Sequence, residues 1–124
     1  MVYGIGIDMI EVMRIEKQVS AGSRFVERIF TPHEVDYCEK KKNKAQNFAA
    51  RFAAKEAFLK ALGTGWRKGI AFKEIEVVND ELGKPEIVLY GKAKQMAEER
   101  NIIRIQLSLT HLKEIASAIV TLET

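Results

Sequence analysis

Residues 2–7 form a short apolar run interrupted by Gly4 and Gly6, a pattern that predicts a buried strand whose glycines let another stretch of backbone come close. Asp8 follows at its end. The spacing of Ile10, Met13, Ile15 and Val19 fits a short helix over 10–19, closed by Gly22, and residues 24–29 supply another helical turn or two. Thr31-Pro32-His33-Glu34 is a strong helix start, with Thr31 as N-cap, Pro32 at the first helical position and Glu34 as the capping-box carboxylate. That helix is expected to reach about residue 41. A longer one begins near Asn43, carries Phe48, Phe52, Leu59 and Leu62, and ends at Gly63 and Gly65, where the chain needs a conformation that strains other residues. Residues 75–78 and 86–90 read as two strands of a hairpin joined through 79–85. Residues 91–100 return to helical spacing, with Asn101 as the stop. Ile103, Ile105, Leu107 and Leu109 then alternate with Arg104, Gln106, Ser108 and Thr110 as a strand, and 115–122 supply the last one. This order predicts an α+β fold: a single domain over 1–124, with a largely antiparallel sheet packed with the long helix.

Composition narrows the setting. At 124 residues, two domains would each have a marginal core, and 47% apolar with 30% charged residues is the balance of a folded globular chain. The apolar runs are far too short for a membrane span, and no basic stretch precedes an apolar core at the N-terminus, so a cytoplasmic location is expected. Cys38 is the sole cysteine; with two histidines it forms neither a disulfide nor a zinc pattern and reads as a small helix residue. The net charge of +3 is unevenly spread. Lys60, Arg67, Lys68 and Lys73 lie in a segment without acids, and Lys40, Lys41, Lys42 and Lys44 form a second cluster; either is a solvated face or a place for an anion.

Three constellations carry chemistry. Gly4-Ile5-Gly6-Ile7-Asp8 places a carboxylate where a strand stops, which alone is compatible with a turn or cap residue. The run from Arg51 to Gly65 puts Glu56 and Lys60 four apart on one helix face, which by itself is a weak surface pair. Glu56, however, is three residues before Leu59 and four after Phe52, so its face borders the apolar stripe, and the glycine turn and basic segment beyond it could offer N–H groups and charge to phosphate. Ser108-Leu109-Thr110-His111 brings a hydroxyl and an imidazole to the end of a late strand.

In this order and at these separations the motifs, with Phe30-Thr31-Pro32-His33-Glu34 and Gly83-Lys84-Pro85, resemble the holo-acyl-carrier-protein synthase family of phosphopantetheinyl transferases. Thr110 departs from the serine of many relatives but keeps the hydroxyl. The resemblance implies a magnesium ion held by Asp8 and Glu56, in keeping with a hard cation that takes one or two carboxylates and completes its shell with water and phosphate oxygens. It implies transfer of the 4′-phosphopantetheine group of coenzyme A to a serine of an apo-acyl carrier protein, releasing 3′,5′-ADP, in support of fatty acid biosynthesis. Lys60 would stabilise charge on the transferring or leaving phosphate, and Arg51, Gly63, Gly65, Thr110 and His111 would contact the coenzyme. The base is either Glu56 itself or a water that Glu56 holds at the ion. The acidic carrier would dock on Arg14, Arg24 and Arg28, aided by Lys17, and the family's homotrimer with sites between protomers is expected. A nucleic-acid module fits less well, because Phe48, Phe52 and Phe58 fall on a helix as packing residues and not on a sheet as stacking platforms. A noncatalytic scaffold would leave Asp8, Glu56 and Lys60 without a joint purpose.

Overall fold

The computed structural model describes residues 1–64 and 69–124. The chain runs through β1 (Val2–Glu11), α1 (Val12–Ser20), α2 (Ser23–Ile29), α3 (Pro32–Glu39), α4 (Lys44–Leu62), a 3₁₀ turn (Phe72–Glu74), β2 (Ile75–Asn79), β3 (Pro85–Leu89), α5 (Gly91–Glu99), β4 (Arg104–His111) and β5 (Ile115–Glu123). The expected α+β order is present. The strands form a three-stranded antiparallel sheet in the order β1-β5-β4 and a separate antiparallel hairpin of β2 and β3. Among the described residues no helix is long and apolar enough to cross a membrane.

The inner face of the three-stranded sheet packs on α4. Along β5 the alternate residues Ala116, Ala118, Val120 and Leu122 are buried; the last three share a cluster with Ala53, Ala57 and Ala61 of the helix, and Ala116 one with Ala49 and Ala50. Alanines on α4 and glycines on β1 allow backbone to approach backbone, whereas the larger side chains Phe48, Phe58, Leu59 and Leu62 fill the remaining core. A second apolar cluster gathers α1, α2 and α3 around the first turns of α4, with Phe25, Phe30, Phe48, Phe52 and Phe72 in ring contact. Cys38 is buried there, and burial pushes its thiol up to about 12, so it serves as a small apolar residue.

Helix ends follow the sequence closely. Thr31 and Glu34 make the reciprocal capping box, with the Glu34 N–H donating to Thr31 Oγ1 (3.2 Å) and the Thr31 N–H to Glu34 Oε1 (2.9 Å). α4 stops at Gly63, whose φ of 85° is left-handed and whose N–H donates to the carbonyls of Leu59 and Lys60. The Arg100 guanidinium adds a 2.6 Å bond to the Leu62 carbonyl.

Two expectations for β1 are corrected. The strand does not stop before Asp8 but continues to Glu11, because its pairing with β5 runs on to Glu11 opposite Ile115. Nor is it buried on both faces: Ile5 and Ile7 are exposed, since the glycines and not the isoleucines face α4. Helix α1 likewise begins at Val12 and turns Val12 and Ile15 inward, leaving Met13 in solvent.

Candidate active site

Asp8, Glu56 and Lys60 come together from β1 and α4. Gly4, Gly6, Asp8 and Ile10 lie opposite Leu122, Val120, Ala118 and Ala116 of β5, so all four belong to the face that meets the helix. A Cβ on Gly6 would overlap the Ala57 carbonyl oxygen, and one on Gly4 the Ala61 carbonyl oxygen. The strand therefore rests on the helix backbone in the turns that carry Glu56 and Lys60. Two residues beyond Gly6, Asp8 is the first polar side chain on this face.

Lys60 Nζ donates to Asp8 Oδ1 at 3.1 Å and to the Ile7 carbonyl at 3.0 Å. Among the described residues its ion-pair partner is thus Asp8 on the neighbouring strand, not Glu56 one turn back on its own helix. Glu56 is half-buried; burial first and the Asp8 charge second hold its carboxyl above the usual range, while Lys60 draws it down. The Ser117 hydroxyl donates to the Asp8 carbonyl at 3.1 Å and fixes the strand at this residue. Nothing in the sequence pattern singled out Ser117.

Two carboxylates set against each other are a donor set for a hard divalent cation, and no group of three or more His, Cys, Asp or Glu that could hold a metal occurs among the described residues. Magnesium fits such a set, because water and phosphate oxygens complete its shell; zinc would need three or four protein ligands.

The other expected site residues are dispersed within one chain. Arg51 lies five residues before Glu56 on α4, about 140° around the helix, and is buried over the Tyr37 ring with a 2.6 Å bond to Asn79 Oδ1. Its Nε has no partner among the described residues. Thr110 pairs with Ser117, which pairs with Met9, so it belongs to the outer face of the sheet, away from Asp8. His111 lies on β4, two strands from β1, and is exposed. Gly63 caps α4, while Gly65, Arg67 and Lys68 lie outside the described residues. Arg14 and Lys17 on α1 and Arg24 and Arg28 on α2 are all exposed, as docking requires. A cleft of about 740 Å³ opens between α1, the start of α4 and the β4–β5 turn, lined by Val12, Met13, Val19, Ala45, Phe48 and Lys113, and it does not include Asp8, Glu56 or Lys60.

The family model of the 4′-phosphopantetheinyl transferase superfamily matches residues 4–119. The chain belongs to that superfamily. A holo-[acyl-carrier-protein] synthase from a Geobacter species is 51% identical over 124 residues, covering 99% of each chain. In three dimensions the chain matches the crystal structure of the holo-[acyl-carrier-protein] synthase from Neisseria meningitidis with a TM-score of 0.90 and 40% identity, covering 100% of both chains. It matches the Bacillus anthracis holo-(acyl-carrier-protein) synthase, solved in complex with CoA (3′,5′-ADP), with a TM-score of 0.82 and 42% identity, covering 100% of this chain and 98% of that one.

In this phosphopantetheinyl transferase the residue beside Glu56 has a separate task that sequence reasoning missed. Lys55 is fully buried, and its ammonium donates to Glu34 Oε1 (2.8 Å) and to the carbonyls of Phe72 (3.0 Å) and Ile75 (2.6 Å). Glu34 Oε2 in turn accepts the Val77 N–H at 2.7 Å. Desolvation lowers the Lys55 pKa, and the Glu34 charge opposes that shift. Thr31 Oγ1 and the Tyr90 hydroxyl both donate to Glu76, which extends the polar layer to the end of the hairpin. The sequence held a partial signal: a capping-box glutamate and a lysine inside an alanine-rich helical run.

Proposed function

We propose that the chain is a magnesium-dependent holo-[acyl-carrier-protein] synthase in which Asp8 and Glu56 hold the ion and Lys60 handles phosphate charge. The observation that carries this reading is the meeting of Asp8, Glu56 and Lys60 at the contact of β1 and α4, with Lys60 bonded to Asp8 Oδ1. Coenzyme A is the donor, and an acyl carrier protein serine is the acceptor. The serine oxygen forms a bond to the phosphorus that bears pantetheine, the bond from that phosphorus to the 3′,5′-ADP oxygen breaks, and the serine proton passes to a base. When bound, the ion neutralises diphosphate charge and aligns the bond that breaks. Lys60 can swing from Asp8 to the phosphate and stabilise the charge that grows on the leaving oxygen. Glu56, beside Asp8 at the same contact, would accept the serine proton directly or through a water it holds.

The reading includes a homotrimer with sites between protomers. Ile5, Ile7, Met9 and Ile119 are exposed on the outer face of the sheet, where an isolated domain would carry polar residues. Thr110 belongs to that same face, so a second copy seated there would meet Thr110 and the nearby His111. The cationic residues of α1 and α2 would receive the acidic carrier, and the product would serve fatty acid biosynthesis in the cytoplasm. Incubation with coenzyme A, magnesium and several apo-carrier proteins, followed by intact-mass spectrometry, tests the activity. A phosphopantetheine adduct on at least one carrier is expected; failure with every carrier would refute the reading.

A further inference from the structure

We infer that Lys60 is an internal counter-ion that holds the Asp8 carboxylate until the donor's phosphates draw it away, so that donor and divalent ion bind in concert. The inference rests on the metal reading of Asp8 and Glu56 and deepens it. Two of the three N–H groups of the ammonium are engaged by β1, one at Asp8 Oδ1 and one at the Ile7 carbonyl. A cation that binds the Asp8 carboxylate shares it with the ammonium bonded to Oδ1, and at that separation the two positive charges repel each other.

The two partners differ in their freedom to move. The Asp8 side chain is 16% exposed and belongs to a strand paired with β5, with its own carbonyl held by Ser117. The Lys60 side chain is 54% exposed and places its charge at the end of a flexible four-carbon stem. Lys60 is therefore the group that leaves. An exposed pair of this kind is weak, so the exchange is easy and its effect on ion affinity is moderate. A phosphate next to the site offers the departing ammonium a stronger partner than water does. Binding of the donor thus frees Asp8, and by linkage binding of the ion favours the donor by the same factor.

The test measures Mn2+ affinity by isothermal titration calorimetry, without carrier protein, for the wild type, Lys60→Met and Asp8→Asn, each with and without coenzyme A. Circular dichroism verifies that the variants fold. Without coenzyme A, Lys60→Met should bind Mn2+ about three- to tenfold more tightly than the wild type. That gain should persist at about 0.5 M salt, where diffuse repulsion is screened beyond a few ångströms. The factor by which coenzyme A tightens Mn2+ binding should be smaller in Lys60→Met by a similar amount, because the direct bond between ion and phosphate is common to both proteins and cancels in the cycle. Equal or weaker Mn2+ binding by Lys60→Met, a gain lost in salt, or an unchanged coupling factor would each overturn the inference while leaving the metal reading intact. Undiminished Mn2+ binding by Asp8→Asn, or no binding by the wild type even with coenzyme A, would instead overturn the metal reading itself.

Discussion

Glu56 stands at a point where one side chain's stability and its function pull in opposite directions. Its carboxyl is half-buried and faces the Asp8 charge, so the folded chain holds a proton there more readily than the unfolded chain does. The sign follows from linkage. The stability that Glu56 contributes rises as pH falls through its raised pKa, and above that value the ionised carboxylate is a cost to folding. Glu56→Gln should therefore melt slightly above the wild type at pH 8 in the presence of a chelator, by no more than about 0.5 kcal/mol because the group is half-exposed. The gap should close as pH drops below the ordinary glutamate value of about 4.3. Thermal melts of both proteins across that range measure it, and a wild type more stable than the variant at pH 8 would contradict the assignment.

Between elements, the layer formed by Glu34 and Lys55 ties α3, α4 and β2 together. Lys55→Met should lower stability by about 3–5 kcal/mol, since it leaves the Glu34 charge buried without its cation. The double variant Glu34→Gln/Lys55→Met should recover much of that loss; urea unfolding midpoints give both numbers, and a double variant less stable than Lys55→Met would contradict the charge argument. This layer also marks the limit of what the sequence discloses. Helix ends were legible because Thr31, Glu34 and Gly63 act on their immediate neighbours through local hydrogen bonds or backbone conformation. The partnership of Asp8 with Glu56 and Lys60 was legible only through motif resemblance, because it depends on how β1 crosses α4. The pairing of Lys55 with Glu34 was not legible, since a lysine within a helix ordinarily reads as solvated and its partner is 21 residues away. Burial of Ile5 and Ile7 was misread for a related reason: an alternating strand discloses two faces, and only the packing of Gly4 and Gly6 on α4 reveals which one is inside.

At the scale of the whole molecule, the outer face of the sheet and the dispersal of Thr110 and His111 away from Asp8 have one common explanation in the proposed trimer. Ile7 sits midway along the edge strand β1 on that face, opposite Ile119 of the central strand. Ile7→Glu adds a charge without touching the α4 side, so the fold should persist while assembly fails. Size-exclusion chromatography with light scattering should find a trimer for the wild type and a monomer for the variant, with transfer activity reduced at least 100-fold because each site loses the neighbouring copy's residues. A monomeric variant with full activity would show that one chain suffices.

The proposed task of Asp8 and Glu56, one from a strand and one from a helix, is to hold the ion on which transfer depends. The most direct measurement is the initial rate of phosphopantetheine transfer to an apo-carrier protein, followed by intact mass over a magnesium titration, for the wild type, Asp8→Ala and Glu56→Ala. The wild type should show a saturable magnesium dependence and each variant a loss of roughly 100-fold or more that added magnesium does not fully restore, with the circular dichroism spectrum unchanged. Full activity of either variant at low magnesium would contradict that role.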